Sequence, residues 1–252
     1  MRVIQDKIVQ RGEQVPAPVL QHVQRGVSGE LSETPKPGAA LFEHVTNHVI
    51  GSALTAELAV SQLLRECGVQ HVTVVTRSMR GEARAVGQSL SHMIAGQLRG
   101  ELAGPGQCPA LNSLGTQLRD TDQMVALLCT GECTVTVRGK GRGGRNQELL
   151  LAALVDGGMG TQSRDSVHEW QQHWDWTVIS AAFDGIEGNS PAMGAVIDAS
   201  SVSRVSALSM NARAALDEND SYRVFQALGD ALEVGHTGTN VNDMLLVLLR
   251  RK

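Results

Sequence analysis

Gly139-Lys140-Gly141-Arg142-Gly143-Gly144-Arg145-Asn146-Gln147-Glu148 combines four glycines with three cationic side chains. An alternating β-branched run at residues 134–138 precedes this segment, and an apolar run at residues 149–155 follows it. The pattern predicts a strand, a glycine loop and then the N-terminus of a helix. Unpaired N–H groups and the helix dipole favour an anion at such a terminus. The segment therefore predicts a site for a phosphate or a carboxylate.

Composition narrows the class of protein. The 252 residues, 42% of them hydrophobic, suffice for one large α/β domain or two smaller ones. A net charge of −4 gives no general attraction to nucleic acid or to anionic membranes. The four cysteines lack paired metal-binding spacing, and neither a membrane-length apolar stretch nor a signal peptide is visible. We expect reduced thiols and a cytoplasmic protein with no nucleic-acid or membrane partner.

The first part of the chain alternates between strand and helix patterns. Residues 45–50 and 71–76 are strand-like, residues 54–67 are helical, and an amphipathic helix begins near Gly81. This order predicts a βαβ unit with parallel strands.

A glycine- and proline-containing stretch at residues 103–120 predicts a linker. We therefore predict an α/β fold in two portions. Residues 1–102 form an incomplete parallel-sheet, Rossmann-like portion, and residues 121–252 form a portion with a mixed sheet.

The second portion should begin with a hairpin of residues 124–130 and 133–138 across Gly131-Glu132. The elements predicted after the glycine loop are a strand at 176–182, helices at 193–208, 211–218 and 221–228, and a strand at 244–249.

Two other interpretations of the glycine loop remain open. Gly139, Gly141 and Gly144 formally satisfy the GxGxxG pattern of dinucleotide-binding folds, which favours a dinucleotide-dependent oxidoreductase. The two arginines and the preceding hairpin count against that interpretation. Alternatively, the loop is a solvated connection whose arginines pair with surface carboxylates.

Arg145, closest to the helix start, is the predicted catalytic residue that stabilises charge on a transferred phosphoryl group. Asp184 ends a predicted strand in a glycine-flanked loop, where it could bind Mg²⁺, orient a hydroxyl or only stabilise its own turn. Glu187 is interpreted as peripheral. The predicted substrate- or nucleotide-binding residues are Gly139, Lys140, Gly141, Arg142, Gly143, Gly144, Asn146, Gln147, Thr237, Thr239, Asn240 and Asp243.

Four motifs in order resemble the carboxyl-terminal MOFRL domain of glycerate 2-kinases: residues 141–148, residues 184–188, Asn219-Asp220-Ser221 and residues 236–243. Upstream, residues 33–38, 49–52 and 81–84 resemble the final part of that family's amino-terminal domain.

The resemblance implies an ATP- and Mg²⁺-dependent kinase that converts glycerate to 2-phosphoglycerate in a cleft between two α/β domains. It also implies that Arg145 is the family's functional arginine and that Asp184 and residues 237–243 line the cleft.

The family's long amino-terminal section, with its functional lysine, has no counterpart before Met1. The resemblance therefore implies a shortened form or a fragment, which forms a homo-oligomer or associates with a chain that completes the cleft. The alternative is a non-catalytic anion- or nucleotide-binding or regulatory partner protein.

Overall fold

A computed structural model of the chain describes residues 15–32, 34–98, 124–156 and 173–252. The chain divides into two compact units, residues 1–49 and 50–252. The first unit contains helix α1 (Ala17–Ser28), which ends at a left-handed Gly29, and a short 3₁₀ helix (Ala40–Phe42).

The second unit is built on a mixed sheet that has six strands within the described residues. The sheet order is β1-β2-β6-β3-β4-β5, in which β1 and β2 are parallel and all other neighbours are antiparallel. The predicted α/β class is confirmed. The strands are β1 (His71–Met79), β2 (Val125–Gly131), β3 (Trp174–Ala182), β4 (Gly194–Asp198), β5 (Ala231–Leu232) and β6 (Asp243–Arg251).

Helices cover both faces of this sheet. Strand β2 is buried at every residue, and its alternate residues point to opposite sides, so each side must be covered. Leu127 packs in the larger core with helices α3 and α4, whereas Leu128 packs in a smaller core with α2. The helices of this unit are α2 (Ala53–Glu66), α3 (Ala83–Leu98), α4 (Arg145–Val155), α5 (Ser201–Ala207), α6 (Ala212–Asp217) and α7 (Ser221–Leu228).

Helix α4 lies in the middle of the larger core. Every residue from Asn146 to Leu154 is buried, and the helix contacts α3, β3, β4, α6 and α7. A helix buried on all sides needs an apolar sequence throughout, which explains the continuous Leu and Ala run after the glycines. The position and direction of the glycine loop are therefore set by a rigid core helix.

Three predicted elements are wrong. Residues 45–50 form no strand, and Val49 and Ile50 are 86% and 96% exposed, so the parallel pair is β1 with β2 instead. Residues 133–138 do not return as a hairpin, because Thr134 bonds to Gly81 and Ala83 of the β1–α3 connection while β6 takes the place beside β2. The helix predicted at 193–208 is wrong in its first part. Residues 194–198 form strand β4 instead, since Ala195 and Ile197 are buried against the core next to β3.

The predicted linker at residues 103–120 lies outside the described residues, so the division into portions 1–102 and 121–252 stays a prediction. On either side of it, β1 pairs with β2 and α3 packs against α4.

The close packing of α3 on α4 gives a first prediction. A β-carbon added at Gly87 would overlap the backbone of Leu149, so we expect Gly87→Ala to lower the free energy of unfolding by about 1–3 kcal/mol. Gly51→Ala is the control, because its β-carbon would lie 3.6 Å from Val241 Cγ1, an ordinary contact. Urea unfolding of both variants measures the difference, and equal stability would show that the two helices separate freely.

Candidate functional site

The glycine loop, residues 139–144, lies between two other segments. One is the Asp184 loop, residues 183–190, which follows β3; the other is the turn at residues 218–222 before α7. A β-carbon at Gly141 would overlap Asp220, and one at Gly144 would lie 2.5 Å from Glu187 Cδ. The glycines therefore allow close packing of three segments and do not make an open loop.

The turn before α7 binds one side of the glycine loop. Asn219 is buried in a left-handed conformation (φ 53°), and its Oδ1 accepts the N–H groups of Arg138 (2.7 Å) and Gly139 (3.0 Å). Asp220 Oδ1 accepts the N–H of Arg142 at 3.0 Å. Asp220 occupies the N-cap position of α7, but its side chain makes no capping bond there.

The Asp184 loop binds the other side. Asn189 Oδ1 accepts the N–H of Gly143 at 2.8 Å, while Asn189 Nδ2 donates to the carbonyl of Gly141 at 3.1 Å. Because both partners of this amide are backbone groups, the path of the loop is fixed whichever side chains it carries.

Glu187 lies against the N-terminus of α4 and is only 4% exposed. Oε2 accepts the backbone and side-chain N–H of Asn146 (2.7 and 3.0 Å), and Oε1 accepts those of Gln147 (both 2.9 Å). Burial raises the pKa of Glu187 to about 7, although these hydrogen bonds act in the opposite direction. The anion at these two amides is thus the protein's own carboxylate, and the interpretation of Glu187 as peripheral is wrong.

Arg145, the predicted catalytic residue, is paired with a buried carboxylate. Nε and Nη2 donate to the two oxygens of Asp243 at 2.5 and 2.7 Å, and Nη1 lies 3.2 Å from the exposed Glu132. The bond to Asp243 raises the pKa of Arg145, so the guanidinium stays charged. Burial raises the pKa of Asp243 despite the opposing effect of Arg145. Among the described residues, Arg145 is the cation paired with Asp243, which is 1% exposed.

Asp184 and Thr237 lie together, and that they line a cleft stays a prediction. The N–H of Thr237 donates to the carbonyl of Asp184 at 3.1 Å, and Thr237 Oγ1 donates to the carbonyl of Phe183 at 2.5 Å. The Oδ1 atom of Asp184 is buried and has no hydrogen-bond partner among the described residues. Ala182, at the end of β3, pairs with Asp243 at the start of β6, so both segments meet Arg145 at one end of the sheet.

The remaining predicted residues are more exposed. Among the described residues, the hydrogen bonds of Thr239 and Asn240 lie within the segment that precedes β6. Lys140 is exposed, and the Arg142 guanidinium lies 4.9 Å from the centre of the Tyr222 ring. These side chains can reach solvent, whereas Asn146 and Gln147 are buried against Glu187.

A cavity of about 500 Å³ opens beside the glycine loop. Arg145 lies on its wall, together with the buried thiol of Cys133, whose pKa is raised to about 11 by burial first and by Asp243 second. The lining residues are Cys133, Thr134, Val135, Val137, Gly141, Gly143, Gly144, Arg145, Glu148, Gly188, Asn189 and Asn219.

Metal and membrane features are limited in the part of the chain that the structure describes. No three His, Cys, Asp or Glu residues there come together as a metal-binding group. Among those same residues, no helix combines the length and the apolar character needed to cross a membrane.

The fold is an α/β sheet whose strand ends lie near a glycine loop and the charged Arg145, and comparison with known sequences identifies the family. Residues 125–243 match the MOFRL family. The glycerate 2-kinase of Pyrococcus horikoshii is 28% identical over 95% of this chain and 47% of its own length. Human glycerate kinase is 32% identical over 82% of this chain and 42% of its own length.

Comparison with solved structures also finds glycerate kinases. The crystal structure of glycerate kinase from Thermotoga maritima is similar with a TM-score of 0.63 and 27% identity, covering 97% of this chain and 49% of that one. The chain is therefore a relative of the glycerate 2-kinases with a MOFRL region, which confirms the resemblance. It spans about half the length of the relatives it matches.

Sequence reasoning missed three residues that shape the site: Glu187, Asn189 and Asn219. Glu187 and Asn219 lie in motifs named above and Asn189 directly follows one, yet each acts on a partner at least 40 residues away along the chain. The available signal was a run of polar side chains in both segments, beside glycines only in the Asp184 loop, which indicated special turns but not their partners.

Proposed function

We propose that the chain acts in glycerate 2-kinase-type phosphoryl transfer, from ATP to glycerate, giving 2-phosphoglycerate. One observation carries the proposal: a charged arginine at the wall of a cavity, at the end of the sheet where Asp184 and residues 237–243 also lie. Phosphoryl transfer needs positioning and charge stabilisation more than covalent help from the protein, and this arrangement supplies both.

Arg145 is the proposed catalytic residue. Two of its nitrogens are fixed by Asp243, which sets the plane of the guanidinium. Among the described residues Nη1 is paired with the exposed Glu132, so a phosphoryl or carboxylate oxygen can replace that partner without unpairing Asp243. Binding of substrate oxygens by Lys140, Arg142, Thr237, Thr239 and Asn240 stays a prediction.

Asp184 fits the proposed magnesium ion, because its buried Oδ1 has no protein partner in the described residues. Mg²⁺ is commonly bound by one or two carboxylates together with substrate phosphates and water. When bound, the ion would neutralise charge on the phosphate groups, and Asp184 would be its protein ligand. The cytoplasmic location and association with a second copy or a completing chain also stay predictions.

A coupled assay of the purified chain tests the proposal. We expect ADP release from ATP and Mg²⁺ only when glycerate is present, because transfer requires the acceptor hydroxyl in place. Omission of each component in turn is the control. Calorimetry that detects ATP or glycerate binding without any ADP release would favour the alternative, a non-catalytic anion-binding or regulatory protein. ADP release that is independent of glycerate would contradict the kinase proposal.

A further inference from the structure

We infer that Glu187 is a positioning residue, whose carboxylate fixes the first turn of α4 and thereby the Arg145 guanidinium. The inference rests on the proposed function only where it concerns catalysis. Its geometric part, the link between Glu187 and Arg145, can be measured separately.

The first argument is the completeness of the contact. Both carboxylate oxygens of Glu187 accept one backbone and one side-chain N–H, and these four donors belong to the two residues that directly follow Arg145. The side chain of Gln147 also donates to Ser190 Oγ at 2.8 Å, and Ser180 Oγ donates to Asn146 Oδ1 at 2.6 Å. Any rotation of the first helical turn would break several of these bonds at once.

The second argument is that a buried carboxylate from a distant loop, and not an N-cap side chain, caps this helix. The first turn of a helix can be satisfied by an exposed Ser, Thr, Asp or Asn at its own N-cap, without the need to bury a charge. Here the N-cap is Gly144, which has no side chain, and a β-carbon there would lie 2.5 Å from Glu187 Cγ and Cδ. A carboxylate from a distant loop takes over the capping role. The cap therefore couples the Asp184 loop to the residue that we propose for catalysis.

The charges around Glu187 are few. Arg145 on α4 acts on it through space, whereas Ser180 from β3 and Ser190 from its own loop are neutral. Asp243 from β6 is already paired with Arg145. A protonated Glu187 would place an O–H against N–H donors, so the cap should weaken as the pH falls below the pKa of about 7.

Nuclear magnetic resonance of the full chain tests the geometric part. In the wild type we expect the backbone amides of Asn146 and Gln147, and the Nε–H of Arg145, to shift together with a midpoint near pH 7. Glu187→Gln should abolish this transition, since the amide does not titrate and its Nε2 group would place donors against one of the two pairs of N–H groups. Glu57→Gln is the matched control: Glu57 is also buried, but its partner is Arg77 on β1. It should leave the transition unchanged.

Kinetics test the catalytic part. We expect Glu187→Gln to lower kcat about 10- to 100-fold with little change in KM, and Glu187→Asp to recover part of the loss. In the wild type kcat should fall as the pH drops through 7, and this limb should be absent in Glu187→Gln.

An Arg145 Nε–H signal that does not follow the amides, or a folded Glu187→Gln chain with full kcat, would overturn the inference. If the wild type releases no ADP with glycerate, the proposed function fails while the resonance result still decides the positioning role.

Discussion

Replacement of Arg145 by alanine is expected to lower the free energy of unfolding by about 3 kcal/mol at pH 8. The substitution removes both guanidinium bonds to Asp243, which is 1% exposed and would remain as a buried, unpaired carboxylate. We also expect a loss of about 100-fold or more in kcat/KM for glycerate-dependent ADP release. Urea unfolding and the coupled assay measure the two effects.

The pH dependence identifies the cause of this instability. The pKa of Asp243 is already raised by burial, and loss of the guanidinium raises it further. A carboxyl group with a folded pKa above its unfolded value loses stability as the pH rises through that interval. The loss of unfolding free energy in Arg145→Ala relative to the wild type should therefore be largest at pH 8 and smallest near pH 4.5.

Two further variants separate stability from catalysis. Arg145→Ala combined with Asp243→Asn should regain most of the stability, because no charge is then buried, but should stay inactive. Arg250→Ala is the matched control: Arg250 pairs with the exposed Asp175 at the opposite end of β6, so little change is expected in either measurement. If Arg145→Ala loses the same free energy of unfolding at both pH values, the instability does not come from an ionised, unpaired Asp243.

Local sequence predicted those parts of the fold that depend on local patterns. Helices α2, α3 and α4 follow from apolar spacing, because each has a sheet or core partner that its pattern describes. The strand order does not follow, since β2 pairs with β6, which is more than 100 residues further along the chain. Strand β4 resembled a helix because five residues are too few to show a period.

In the candidate site, too, local sequence predicted some features and not those that depend on distant segments. A run of glycines before an apolar helix predicted a bound phosphate or carboxylate at the N-terminus of α4; the structure places the side-chain carboxylate of Glu187 at Asn146 and Gln147, and binding of a separate anion stays a prediction. That this anion is Glu187 could not be predicted, because spacing along the chain carries no information on which distant loop reaches the helix. The neighbourhood of Asp184 and Thr237 followed from the family resemblance and from the rule that ligands gather at strand ends.

Asn219→Asp is expected to destabilise the protein by about 3 kcal/mol at pH 8. Asn219 Nδ2 donates to Glu148 Oε2 at 2.8 Å, and Glu148 is itself 2% exposed with Arg84 on its other oxygen. The substitution exchanges this donor for a second carboxylate oxygen, so two buried anions would face each other. Oδ1 must still accept the N–H groups of Arg138 and Gly139, which prevents the side chain from turning away.

A pH series distinguishes repulsion from simple loss of a bond. Two carboxylates at this distance share a proton readily, which raises the pKa of the pair, so the penalty of Asn219→Asp should shrink as the pH is lowered towards 4.5. Asn211→Asp is the matched control, because Asn211 is an exposed N-cap of α6 and aspartate caps equally well. A stability of Asn219→Asp within about 0.5 kcal/mol of the wild type at pH 8 would show that Asn219 does not fix the glycine loop. The loop would then owe its shape to Asp220, which accepts the N–H of Arg142, and to Asn189 of the Asp184 loop, which accepts the N–H of Gly143.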